Sequence, residues 1–154
     1  MTTPTEAYAY TNRPTTQELR EILVAHAVWL NQRGGRPANL HRFDLSGMDL
    51  ADADLRYADL SHANLEGARL TGANLSFATL QGANLRGAYL KGAFLVTTEL
   101  REANLEGAVL KGAEIAYARL DGANLIGANL EGAGLTEVNL AVAIRQPSDR
   151  SAYW

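Results

Sequence analysis

The sequence predicts an all-β fold in which the chain winds as a coil of short extended pieces joined by turns, and two observations predict it. Leucine recurs at every fifth residue from Leu40 to Leu140, through 21 consecutive positions with Ile115 the only substitute. Two residues before each sits a small residue, usually alanine, as at Ala53, Ala58, Ala63, Ala68 and Ala73, and two after is frequently glycine. A period of five matches neither the ~3.6 of a helix nor the alternation of a long strand, so each unit must be one short extended piece followed by a turn. Leucine and alanine then point inward, and the other three positions face water and carry the turn chemistry. A corner packed against the coil axis has room for little more than a methyl group, which accounts for the alanine column.

The run ANLEG-ARLTG-ANLSF-ATLQG-ANLRG-AYLKG resembles the A(D/N)LXX signature of the pentapeptide-repeat family, and the resemblance covers residues 38–142. In that family four pentapeptides complete one square coil of twenty residues. The resemblance therefore implies a right-handed quadrilateral (four-sided) parallel β-helix, here residues 36–142. It implies about five coils, each rising by one strand spacing of ~4.8 Å, for a rod on the order of 25 Å tall.

A register of twenty can be checked against the charges, because residues stacked in neighbouring coils should not set like charges together. Between residues 39 and 142 the pairs at that spacing are Asp49–Arg69, Glu66–Arg86, Arg86–Glu106, Glu99–Arg119, Arg101–Asp121 and Lys111–Glu131, with Lys91–Lys111 the single like pair. Fifteen instead joins the like pairs Asp44–Asp59, Arg86–Arg101, Glu99–Glu114 and Glu106–Asp121 against two favourable pairs, and twenty-five gives two of each. Twenty is the register the charges favour.

An open coil exposes unpaired backbone at both ends, so covers are expected. Residues 1–15 read as a flexible N-terminal segment. Thr15-Thr16-Gln17-Glu18 reads as a capping box, after which Leu19, Ile22, Leu23, His26 and Leu30 share one helical face up to about Arg33, and Gly34-Gly35 stops the helix. Residues 16–35 are thus expected to be a capping helix closing the first coil, with Trp29 at the edge of its apolar face; a docking helix for another protein is the alternative. After Leu140 the pattern dissolves into a tail, residues 143–154. Either Ile144, Tyr153 and Trp154 fold back over the last coil or two chains meet there as a homodimer, a mode the resemblance also implies.

Composition narrows the function classes. The 154 residues carry 14 Lys+Arg against 17 Asp+Glu, a net −3 that gives neither a basic footprint for nucleic acid nor a strong acidic field. There is no cysteine, which excludes disulfides and thiolate metal sites and fits a reducing compartment, so a cytoplasmic protein is expected. The N-terminus lacks the basic and apolar regions of a signal peptide, and no apolar run approaches the roughly 18 residues of a membrane span. Neither nucleic acid nor membrane is an expected partner.

No nucleophile, base and orienting group recur at a spacing a rigid rod would unite, so no enzyme activity and no cofactor are expected. His41 and His62 fall near one another without a third ligand in register, which makes no catalytic metal site. Asp44, Asp49, Asp52, Asp54 and Asp59 crowd the first coil; aspartates there cap turns by bonding local backbone. Asn64, Asn84, Asn104 and Asn124 stack on one side, which also keeps Gly67, Gly87, Gly107 and Gly127.

Deviations gather on the side built around Leu55, Leu75, Leu95, Ile115 and Leu135, where the outward positions include Tyr57, Phe77, Phe94, Val96 and Tyr117, with Tyr89 on the adjoining side. Rigid outward aromatics are the residue types of binding hot spots. Either this is a protein-interaction patch, or a segment with Tyr8 and Tyr10, or the C-terminal tail, lies over it. Thr97-Thr98-Glu99 replaces the usual Gly-Ala step there, which predicts one locally distorted corner. The function expected is a non-enzymatic rigid scaffold that binds an unidentified protein through this aromatic face or self-associates at its C-terminal end. The alternative, from the family's quinolone-resistance members, is a DNA-mimicking protector of gyrase; that role needs phosphate-like negative charge along the rod, whereas residues 36–142 carry 13 acidic and 9 basic residues with the acids crowded at one end.

Overall fold

The computed structural model describes residues 12–145. From Asn39 onward every backbone bridge joins residues twenty apart in parallel, as in Asp44–Asn64–Asn84–Asn104–Asn124, and all four pentapeptides of a turn take part. The coil therefore has four sides, named here by their first leucines, Leu40, Leu45, Leu50 and Leu55. The bonding follows one rule: from Leu40 through Ile115 each central residue's N–H donates to the next coil, as Leu45 to the Asn64 carbonyl at 2.7 Å. The residue before the leucine donates back, as Asn84 to the Ala63 carbonyl at 2.9 Å. Each corner is a four-residue turn closed by a bond such as Ala68 N–H to the Leu65 carbonyl at 3.0 Å. Its third residue has positive φ at every corner from Arg42 to Glu137, the conformation that favours glycine.

The core is a leucine stack beside an alanine stack. Leu40 through Leu125 are buried, as are the alanines from Ala58 to Ala123. Burial weakens at the C-terminal end, where Ala128, Leu130, Ala133, Leu135, Val138 and Leu140 are only partly covered among the described residues.

At the other end, helix α1 spans Thr16–Leu30, opened by Thr15 as N-cap with a full capping box to Glu18. It stops three residues short of the expected Arg33: the Asn31 side chain donates to the Ala27 carbonyl at 2.8 Å and Gln32 turns to φ 57, which breaks the helical path. Gly35 then passes so close to α1 that a Cβ there would run into the Ala25 carbonyl oxygen. Leu19 is buried, and Ile22 and Leu23 pack against the core beside Phe43 and Met48, which fill the alanine positions of the first coil. Of the segment expected to be flexible, residues 12–15 are held in place: Asn12 bridges Phe43, Arg13 bonds Asp44 and Ser46, and Pro14 is buried.

Two expectations are corrected. The Thr97-Thr98 corner is regular, because the buried Thr98 hydroxyl donates to the Leu75 carbonyl at 2.9 Å and so fits where alanine usually sits. The coil also runs past residue 142: after a short 3₁₀ turn at Leu140–Val142, Ala143 takes a buried alanine position and Ile144 bridges Asn124. Ile144 is thus part of the coil, and Tyr153 and Trp154 lie outside the described residues. No described helix is long and apolar enough to cross a membrane.

Candidate interaction face

The Leu55 side differs from the other three at its corners. The third turn residue there is Tyr57, Phe77, Thr97, Tyr117 and Glu137 in successive coils, all with φ between 55 and 62° and none a glycine. The Leu45 side has Gly47, Gly67, Gly87, Gly107 and Gly127 at the same position. A side chain with a Cβ in this region costs roughly 1–2 kcal/mol, and bulky or β-branched residues are the least expected there. Five such residues in an unbroken column are a repeated local cost that the rod does not require, since glycine serves at every corner of the Leu45 side; on the other two sides Arg42, Asp52, His62 and Glu102 stand among glycines.

The rings are open to solvent: Tyr57 is 51 % exposed, Phe77 48 %, Phe94 46 % and Tyr117 55 %. Val96, between the Phe94 and corner columns, is half-buried. Tyr57 and Phe77 stack with ring centres 5.0 Å apart and planes 8° from parallel. Trp29 of α1 meets Tyr57 edge-on at 6.3 Å and lies against His26 at 5.7 Å, so one aromatic series runs from α1 onto the rod. Tyr89, on the Leu50 side, is exposed and shares no ring contact with these residues among the described ones. The pentapeptides around Leu75 and Leu95 carry no charge: Asn74, Ser76 and Phe77 in one coil, Phe94, Val96 and Thr97 in the next. Asp54 and Arg56 border this window on one side and Glu114 on the other, an apolar centre with a polar rim. The Arg56 guanidinium bonds both Asp54 oxygens at 2.8 and 2.7 Å and holds that carboxyl below its ordinary range.

Of the α1 residues singled out, Leu19 and His26 are buried, Ile22 and Leu23 pack on the core, and Leu30 is half-buried beside Trp29 and Tyr57. His26 joins helix to coil: its Nδ1 accepts the Ala38 N–H at 3.0 Å, which places the proton of the neutral ring on Nε2. Burial lowers its pKa, opposed by the nearby Asp54.

The remaining polar clusters are structural. Asp44, Asp49, Asp54 and Asp59 each accept the backbone N–H two residues on, and Asp52 is itself a corner residue. Asn64 donates to Asp44, Asn84 to Asn64 and Asn124 to Asn104, a side-chain ladder up the Leu45 side. His41 and His62 meet edge-on at 5.8 Å, and Ser61 bonds both His41 and Asp59. Among the described residues no group of histidines and carboxylates could hold a metal ion.

Sequence reasoning found the exposed rings and missed two features. The Trp29–Tyr57 contact has no sequence signal, because it depends on where α1 lands. The glycine-free column does have one: at a register of twenty, positions 57, 77, 97, 117 and 137 can be compared with 47, 67, 87, 107 and 127 by eye.

A four-sided parallel solenoid of five-residue units, with an aromatic column along one edge, defines a class of repeat protein before any comparison. The family model for pentapeptide repeats matches residues 38–72, 68–107 and 103–141 in eight copies, and the chain belongs to this family of right-handed quadrilateral β-helices. A pentapeptide repeat protein, Rfr23, from the cyanobacterium Cyanothece 51142 is 33 % identical over 73 % of this chain and 67 % of its own, with a TM-score of 0.46. One from the Arabidopsis thaliana thylakoid lumen is 32 % identical over 74 % of this chain and 72 % of its own, with a TM-score of 0.50. HetL of Nostoc sp. strain PCC 7120, involved in heterocyst differentiation regulation, is 32 % identical over 71 % and 60 %, with a TM-score of 0.42. Among curated proteins no sequence matches.

Proposed function

We propose that this protein is a non-catalytic, rigid interaction module that binds a protein partner through its Leu55 side. The observation that carries this is the glycine-free corner column, where half-exposed aromatic rings occupy a backbone conformation that disfavours them. In this reading the rod is about five coils tall, α1 is the lid of its N-terminal end, and the absence of cysteine suits work in the cytoplasm. The partly covered last coil around Leu130, Leu135 and Leu140 supports a second contact, end to end between two chains. The gyrase-protecting alternative needs an unbroken acidic surface, whereas Arg69, Arg86, Arg119 and Lys111 here face acids of neighbouring coils at 3.5, 3.9, 3.9 and 2.9 Å.

The test is affinity capture with the intact rod, with Phe77→Ser plus Phe94→Ser, and with an Arg86→Ser control on the Leu45 side. Partner capture should vanish in the double variant and persist in the control, with far-ultraviolet circular dichroism unchanged in all three. Equal capture by all would remove the Leu55 side as the binding face.

A further inference from the structure

We infer that the occupant of the Leu55 side is a second copy of the same chain, packed face to face with the two rods antiparallel. The inference rests on the reading of that side as a contact surface and names its partner.

The side chains of this face are ordered so that the face complements itself about its middle coil. A two-fold axis lying in the contact plane, along the strand direction through the third coil, sends the first coil onto the fifth and the second onto the fourth, while the third meets itself. In that arrangement Phe94, Val96 and Thr97 each face their own counterpart at the centre. Phe77 faces the second copy's Tyr117, an aromatic pair formed twice. Asn74, a neutral amide, faces the second copy's Glu114. Ser76, buried beneath its neighbours, lies opposite the half-buried Ala116 and adds little to the contact. At the rim Arg56 and Tyr57 face Thr136 and Glu137, which offers the carboxylate a cation and a phenol, and Asp54 faces Gly134. No like charges meet, as an isologous interface requires of one patch read against itself. The Leu45 side lacks this property: about its middle coil Glu66 would face Glu106, and Arg86 would face itself.

The size of the face sets the strength expected. Five coils at ~4.8 Å and about four outward residues at ~3.3 Å span on the order of 300 Å² per copy, against about 800 Å² in a standard stable complex. The pairing is therefore transient and concentration-dependent, and trapping is a better assay than mass measurement.

The chain has no cysteine, so single cysteines can be introduced cleanly. Four samples of the full chain are exposed to diamide at several protein concentrations: V96C alone, N74C alone, N74C mixed with E114C, and R86C as a collision control. Antiparallel pairing predicts a disulfide-linked dimer from V96C and from the N74C–E114C mixture, each at least tenfold above N74C alone and R86C. Adding Phe77→Ser to V96C should return it to the control level.

Cross-linking of V96C no greater than that of R86C at the highest concentration would overturn the inference. Efficient linking of N74C alone would also overturn it, because that position meets its own counterpart only in another arrangement. Either failure leaves capture by the F77S/F94S pair as a separate measurement, so loss of the second copy as occupant is distinguishable from loss of the face as a binding site.

Discussion

The Leu45 and Leu55 sides share one core and one bonding pattern and differ in nearly everything that faces water. On the Leu45 side each coil repeats the last: asparagine bonds asparagine and glycine holds every corner. On the Leu55 side the asparagine column is broken by Phe94, Glu114 and Gly134, and the corners carry Tyr57, Phe77 and Tyr117 against their backbone preference. Uniformity is what a rod needs to stay closed. The departures from it are what the proposed contact on the Leu55 side rests on.

The two sides should be equal where the comparison says they are. Leu85→Ala on one and Leu75→Ala on the other remove fully buried side chains, and each should cost about 2–5 kcal/mol in urea unfolding. A difference between them well beyond that spread would mean that the outer surfaces also govern the core.

The N-terminal junction is next in size. His26→Ala leaves the buried Ala38 N–H without an acceptor and should cost about 1–3 kcal/mol. In the parent protein the folded His26 binds its proton less readily than an unfolded histidine at 6.5. The unfolded chain therefore takes up more protons as pH falls through that value, and stability should decline below about pH 6.5 towards the depressed folded value. His26→Gln, which can still accept from Ala38, should remove that component of the pH dependence in thermal melts from pH 7 to 5. A parent and variant that respond alike would place the sensitivity in other groups.

Corner exchanges sharpen the contrast directly. Gly87→Tyr imports a left-handed tyrosine into a corner where nothing lies within 4 Å of the new Cβ, so the backbone alone should cost about 1 kcal/mol. Tyr117→Gly should do the reverse and raise stability by up to about 1 kcal/mol. The smallest effect belongs to exposed stacked charges: Glu131→Gln, which releases Lys111, should change stability by about 0.2–1 kcal/mol.

How much of this was legible in the sequence follows from where the information lies. The five-residue unit is local, so leucine and alanine spacing alone reveals the inward stacks. The turn of twenty is one step removed and was recoverable through charges: Asp49–Arg69, Glu66–Arg86, Glu99–Arg119 and Lys111–Glu131 do meet. Arg101, expected opposite Asp121, instead pairs with Glu99 in its own coil at 3.1 Å, because a long exposed side chain takes the nearest acid. The end of α1, the seating of Trp29 on Tyr57 and the return of Ala143 and Ile144 to the coil depend on contacts between distant segments, which no short window contains. Half the candidate face was similarly visible: the rings were, and their strained corners needed the register first.

The central claim is that the aromatic column exists for contact and not for the rod. The direct measurement is urea unfolding of a triple variant, Tyr57→Gly, Phe77→Gly and Tyr117→Gly, against the parent at the same low protein concentration. Relief at three left-handed corners offsets the lost Tyr57–Phe77 and Trp29–Tyr57 ring contacts, so stability should stay within about 1 kcal/mol of the parent or rise. A loss of more than about 3 kcal/mol, beyond what two ring contacts supply, would show that the column holds the rod together and contradict the account.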